Sequence, residues 1–147
     1  MTDFHHTGMT VSDIDLALGF WCDALGGREI FRQEREGGYF AEIVGEPGAR
    51  VRMAQLELRP GGHRLELFEF ESPEGTHHRL RSADVGFAHV CVATDALDEL
   101  LERLETAGGR RMSDPVAIDG GVNHGGRAVY VRDPDGHVVE LFQPRPD

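Results

Sequence analysis

Two stretches of this chain make the same apparent mistake. His63-Arg64-Leu65-Glu66-Leu67-Phe68 and His137-Val138-Val139-Glu140-Leu141-Phe142 both read His-x-x-Glu-Leu-Phe, and each sets a carboxylate in the middle of an apolar run. An ionised carboxylate is expensive to bury unless something compensates it. Two histidines recur in step with these glutamates: His6 follows Phe4, and His89 follows Phe87 at the same interval. Two imidazoles and two carboxylates are a donor set suited to a divalent first-row metal, and oxygen/nitrogen sites of this kind accept Mn, Fe, Co, Ni or Zn. Such an ion would offset the cost of burying the glutamates. His6, Glu66, His89 and Glu140 are therefore the candidate metal ligands. A single histidine on a strand is more often a hydrogen-bonded core residue, and a single strand glutamate more often faces solvent. Recurrence of all four in register is what weighs against those readings.

The elements that must position them repeat as well. Asp13 to Leu25 and Asp95 to Ala107 both carry apolar residues near the helical period: Ile14, Leu18, Trp21 and Leu25 in the first, Leu97, Leu100, Leu101 and Leu104 in the second. Asp13 and Asp95 are placed to cap the two helices, and the pairs Gly26-Gly27 and Gly108-Gly109 to end them. Each copy reads strand, helix, then three strands. The expected strands of the first copy are 4–10, 29–33, 51–58 and 64–70, with a short helix over 38–45. Those of the second are 88–93, 111–112 continuing into 116–118, 128–132 and 138–143. Arg59-Pro60-Gly61-Gly62 and Asp133-Pro134-Asp135-Gly136 are the matching turns before the glutamate strands. The two copies, about 4–71 and 87–144, form one domain joined by a linker over about 72–86.

Side chains on a strand alternate faces. Arg64, Glu66, Phe68 and Phe70 share one face, and Leu65 and Leu67 the other; Val138, Glu140 and Phe142 oppose Val139 and Leu141. The leucine faces are expected to pack on the helices, leaving the glutamates on the opposite side. His5 is expected to point away from His6, and His63 and His137 to serve the turns. The glycine-rich segment 120–126 reads as a hairpin connection or a lid from which Asn123 and His124 could touch a substrate.

Composition narrows the field. With 15 basic against 26 acidic residues the net charge is −11 over 147 residues, and no basic cluster offers a surface for nucleic acid. No apolar run reaches membrane-span length, and Met1-Thr2-Asp3-Phe4 does not resemble a leader. Cys22 and Cys91 stand far apart, as in a reduced cytoplasmic protein.

These residues together resemble the vicinal oxygen chelate superfamily, the glyoxalase/bleomycin resistance/dioxygenase group. The resemblance rests on His6-Thr7-Gly8-Met9-Thr10-Val11-Ser12-Asp13, Leu65-Glu66-Leu67, His89, and Asp133-Pro134-Asp135-Gly136 followed by Val139-Glu140-Leu141, and it spans nearly the whole chain. It implies an α+β fold of two βαβββ modules forming an open, cup-like, eight-stranded mixed sheet. It also implies one divalent ion held by His6, Glu66, His89 and Glu140, as in glyoxalase I-like and methylmalonyl-CoA epimerase-like members. The implied activity is that of a lyase or isomerase acting on a small carbonyl substrate by proton transfer through a metal-stabilised enolate or enediolate. Glu66 and Glu140 would move the proton, and Phe68 and Phe142 would wall the pocket. Two alternatives remain open within the resemblance: an extradiol-type Fe(II) dioxygenase, and a protein that sequesters a drug. Glutathione-dependent bacterial relatives carry an arginine on the first strand where this chain has Thr10, so an anionic substrate would need another clamp, for which Arg64, Arg79 and Arg127 are available. A homodimer is expected, because an open sheet leaves edges to cover.

Overall fold

The computed structural model describes residues 1–146. The chain divides into two compact units, Met1–His77 and His78–Asp147. In the first, β1 (His6–Thr10) leads into α1 (Ile14–Leu18), whose last turn continues as a π-helical stretch, Gly19–Ala24. There follow β2 (Arg28–Glu36), α2 (Gly38–Val44), β3 (Arg50–Glu57) and β4 (Arg64–Ser72). The sheet order is β1-β4-β3-β2, with β1 parallel to β4 and the other pairs antiparallel. The second unit repeats the plan with β5 (His89–Ala93), α3 (Leu97–Thr106), β6 (Arg110–Arg111), β7 (Val116–Ala117), β8 (Arg127–Arg132) and β9 (Val138–Gln143). Its order is β5-β9-β8-β6, with β5 parallel to β9 and β7 also pairing β8.

The class is α+β, as the sequence implies. The described residues form nine strands rather than eight, because the strand expected at 111–112 with 116–118 is split into two, β6 and β7. Pro115 has no N–H to give the ladder; the Met112 N–H still donates to the Tyr130 carbonyl of β8, and residues 113–115 then leave it before Val116 rejoins opposite Ala128. Ser72, expected in the linker, is the last residue of β4. Between it and His89 there is neither helix nor strand.

The helices lie where the leucine faces require them. Leu67, Val139 and Leu141 are fully buried, with Leu65 nearly so; α1 packs on β4 and β3, and α3 on β9 and β8. Asp13 caps α1 as expected, its carboxylate accepting from the N–H groups of Asp15 and Leu16 at 2.9 Å. Asp95 does not cap α3. The cap residue is Ala96, whose N–H is taken by Thr94 Oγ1, while the Asp95 carbonyl accepts from Gln143. Glu69, on the leucine side of β4, reaches up to accept from the Ile14 N–H at 2.8 Å and from Arg52 at 3.0 Å. Asp15 joins Arg52 and Arg32, so charged groups fasten the start of α1 to the sheet. Gly26 and Gly108 take the left-handed conformation that ends each helix (φ 101° and 90°). Gly27 is needed for room instead: a Cβ there would lie 2.5 Å from the Trp21 carbonyl oxygen. Among the described residues no helix is long and apolar enough to cross a membrane.

Candidate metal-binding and catalytic site

Parallel pairing of first and last strand brings each histidine to its glutamate. In the first unit Gly8 stands opposite Glu66 and His6 opposite Arg64. His6, Gly8 and Thr10 therefore share the face of Glu66 and Phe68, away from the helix. His6 Nε2 lies 3.2 Å from Glu66 Oε2. In the second unit Cys91 stands opposite Glu140, and His89 Nε2 lies 3.0 Å from Glu140 Oε2. The two pairs are built alike, from the same strands of the two repeats. Among the described residues no three His, Cys, Asp or Glu side chains are grouped closely enough to hold a metal ion. Each unit thus presents one imidazole–carboxylate pair.

The separation within each pair fits shared coordination. Two donors each about 2.1 Å from a divalent ion, at right angles, stand about 3 Å apart. A ligating imidazole nitrogen also needs its other ring N–H engaged. His6 Nδ1 lies 2.7 Å from His5 Nδ1, which can accept that proton. This corrects the expectation for His5: β1 begins at His6, so strand alternation does not govern residue 5, and its ring turns towards His6 rather than away.

The surroundings of the glutamates differ. Glu66 is 8% exposed and its Oε1 accepts a hydrogen bond from Gln55 Nε2, directly across on β3. Glu140 is more open, and its cross-strand neighbour on β8 is Tyr130. The Tyr130 hydroxyl lies 3.4 Å from His89 Nε2, with ring centroids 4.8 Å apart. Burial, then the nearby Glu140 charge, raises the Tyr130 hydroxyl above its usual pKa. The same two causes push the Cys91 thiol up to about 11. Gln55, Tyr130 and Cys91 were not singled out by the sequence. Counting back from the hairpin turns to find the partner of each glutamate would have pointed to Gln55 and Tyr130.

The aromatic residues two places past each glutamate are half-buried. Phe68 packs on Phe40 of α2, with centroids 5.5 Å apart, and its ring edge would sit 3.2 Å from a Cβ on Gly8. Helix α2 therefore covers one end of the face that carries Glu66. Phe142 abuts Gly126, where a Cβ would lie 3.0 Å from its ring. That contact anchors the base of the glycine-rich loop, which Gly125 N–H and Ile118 N–H close by hydrogen bonds to Ile118 and Gly126 carbonyls. Asn123 and His124 are exposed at its tip, where the His124 N–H donates to the Gly121 carbonyl and the Asn123 carbonyl accepts from the Gly126 N–H. At the turns, His63 Nε2 bonds Thr7 Oγ1 at 2.8 Å, and the His137 N–H donates to Asp133. Of the candidate clamps, Arg127 is engaged by Asp98, Arg79 is exposed, and Arg64 lies on the Glu66 face.

Comparison with known proteins gives a consistent picture. The family model described as Glyoxalase/Bleomycin resistance protein/Dioxygenase superfamily matches residues 3–141. A 2-epi-5-epi-valiolone epimerase from Actinomyces sp is 31% identical, over 94% of this chain and 77% of its own length. A lactoylglutathione lyase from Pseudomonas putida is 30% identical, over 97% of this chain and 86% of its own. Among solved structures, a glyoxalase family protein from Bacillus cereus superposes with a TM-score of 0.87 at 22% identity, covering 99% of this chain and 96% of that one.

Proposed function

The chain belongs to the Glyoxalase/Bleomycin resistance protein/Dioxygenase superfamily, and from that premise we propose that it is a metal-dependent lyase or isomerase that moves a proton on a small carbonyl substrate. The observation that carries the reading is the repeated pair: imidazole Nε2 against carboxylate Oε2 at 3.2 and 3.0 Å, on equivalent strands of two repeats. His6 with Glu66, and His89 with Glu140, would each supply two donors to a divalent ion. Bound there, the ion supplies Lewis acidity that favours negative charge on a substrate carbonyl oxygen.

The protein groups do the rest. A carboxylate oxygen of Glu66 or Glu140 takes the proton α to the carbonyl and returns it to another atom of the enolate or enediolate. Gln55 holds Glu66 by one oxygen, which suits it to a fixed role; among the described residues Glu140 has no such amide partner and is freer to carry the proton. The half-buried rings of Phe68 and Phe142 limit water. Two relatives at about this level of identity bear the names of an epimerase and a lyase, both of which fit proton transfer beside a carbonyl.

The test has two readings. Protein purified without chelator should carry one divalent ion per four-donor set, and His6→Ala with His89→Ala should lose it; unchanged metal content would refute the ligand assignment. With metal restored, deuterium from solvent should enter the α position of accepted carbonyl substrates. Oxygen uptake with catechols after anaerobic Fe(II) loading would instead indicate a dioxygenase. Chelator-insensitive capture of an aromatic drug without turnover would indicate sequestration.

A further inference from the structure

The face that carries Glu66 continues past it into a cleft of about 580 Å³, lined by Arg28, Ile30, Phe31, Gln55, Glu57 and Arg64. We propose that this cleft holds the anionic end of the substrate, a carboxylate or phosphate engaged by Arg64, with an apolar segment lying on Ile30 and Phe31. The proposal rests on the reading of Glu66 as part of the reaction centre, and it adds the chemical class of the molecule that reaches it.

Charge in the cleft is arranged to leave one cation free. Strand register sets Glu57 opposite both Arg28 and Arg64. Glu57 is 5% exposed, and its two oxygens are taken by the Arg28 guanidinium and the Gly61 N–H. Arg28 and Glu57 thus neutralise each other. Arg64 is half-buried, and among the described residues no carboxylate lies within ion-pair distance of it. A half-buried planar guanidinium with no carboxylate partner suits bidentate binding of a carboxylate or phosphate.

The apolar wall has its own cause. The β2–β3 register shifts between Glu29 and Phe31, and a bulge of this kind re-aims side chains. Ile30 and Phe31, neighbours that a regular strand would send to opposite faces, both line the cleft. Phe31 remains 46% exposed, an aromatic surface still to be covered. Gln55 links the cleft to the reaction centre, lining one and donating to Glu66 in the other. Arg64 stands two residues from Glu66, about 7 Å along the strand. The substrate is therefore a carbonyl compound whose anionic group lies a few bonds from the reacting carbon, on an apolar or aromatic body.

The experiment titrates uniformly labelled full-length protein by NMR with phenyl phosphate, phenylacetate and the neutral benzyl alcohol, with and without added Ni(II). Either anion should perturb Arg28–Phe31, Gln55 and Arg64. The one that binds more tightly identifies phosphate or carboxylate as the natural group. Arg64→Leu should weaken anion binding at least 10-fold, Arg64→Lys should retain most of it, and added salt should weaken wild-type binding. Equal binding of benzyl alcohol, or an unchanged affinity in Arg64→Leu with a native-like spectrum, would overturn the proposal. The metal-free arm separates the two readings. Anion binding that survives in a protein unable to take up metal would leave the cleft assignment standing and refute the proposed catalysis. Metal uptake without anion binding would do the reverse.

Discussion

Replacing Glu66 by Gln should strengthen the metal-free protein and abolish its response to metal. Glu66 is 8% exposed, and its fixed partners are a neutral amide and an imidazole that is itself partly open to solvent. Keeping a carboxylate ionised there costs several kcal/mol of desolvation, which one charge-assisted hydrogen bond of about 1.5–3 kcal/mol only partly offsets. Glutamine keeps the shape. Its carbonyl can accept from Gln55 and its NH2 can donate to His6 Nε2, so no buried group is left without a partner. Losing the charge weakens the Gln55 bond by about 1 kcal/mol but removes the larger desolvation cost, for a net gain of about 2 kcal/mol. At roughly 2–4 °C per kcal/mol for a chain of this size, the melting midpoint in chelator should rise by about 4–8 °C. A divalent ion at 100 times its Kd should add about 2.7 kcal/mol to the wild type and almost nothing to Glu66→Gln. Calorimetry of both proteins with chelator and with Ni(II) gives all four values. A variant that melts lower than wild type in chelator, yet is still stabilised by the ion, would show that Glu66 is a structural partner and not a ligand.

Other outcomes follow from the packing and the charges. Leu67→Ala, at a fully buried position, should cost about 2–5 kcal/mol, read as a lower denaturant midpoint with an unchanged slope. Gly27→Ala should also destabilise, since its Cβ would lie 2.5 Å from a backbone oxygen and 2.9 Å from Leu56; a thermal midpoint within error of wild type would contradict that contact. The Arg52 and Arg32 guanidiniums hold the Asp15 carboxyl below its ordinary 3.8. With the folded pKa lowered, this contribution is present above pH 3.8 and is lost as pH falls through the folded value. Acid unfolding should therefore steepen below pH 3.8, and Arg52→Met should flatten that limb.

Much of the site is legible in the sequence because strand alternation is rigid. Once Glu66 and Glu140 stand in apolar runs with leucines on either side, their face is determined, and duplication pairs each with a histidine. The caps at Asp13, Gly26 and Gly108 could be read for a similar reason, since few residues suit those backbone positions. What escaped depends on long-range register. Gln55 and Tyr130 occupy equivalent places, opposite Glu66 and Glu140, and only counting back across each hairpin marks either as a neighbour of a carboxylate. The choice of Arg28 over Arg64 as partner for Glu57 is a matter of side-chain reach across three strands. Asp95 misled because two residues near a helix start could each serve as a cap, and the Thr94 hydroxyl took the N–H instead.

The first strand is held to its unit through one neighbour, β4, and this makes its alignment a form of proofreading. Sliding β1 by a single residue would present Thr7 and Met9 where His6 and Gly8 stand. Met9 and Val11, at 9% and 4% exposure, would then be lifted into water, and Gly8 would no longer leave space for the Phe68 ring. Apolar residues beneath the sheet thus guarantee which donor appears above it. Evolutionary drift at those positions would be felt first as a misaimed imidazole, before any loss of the fold.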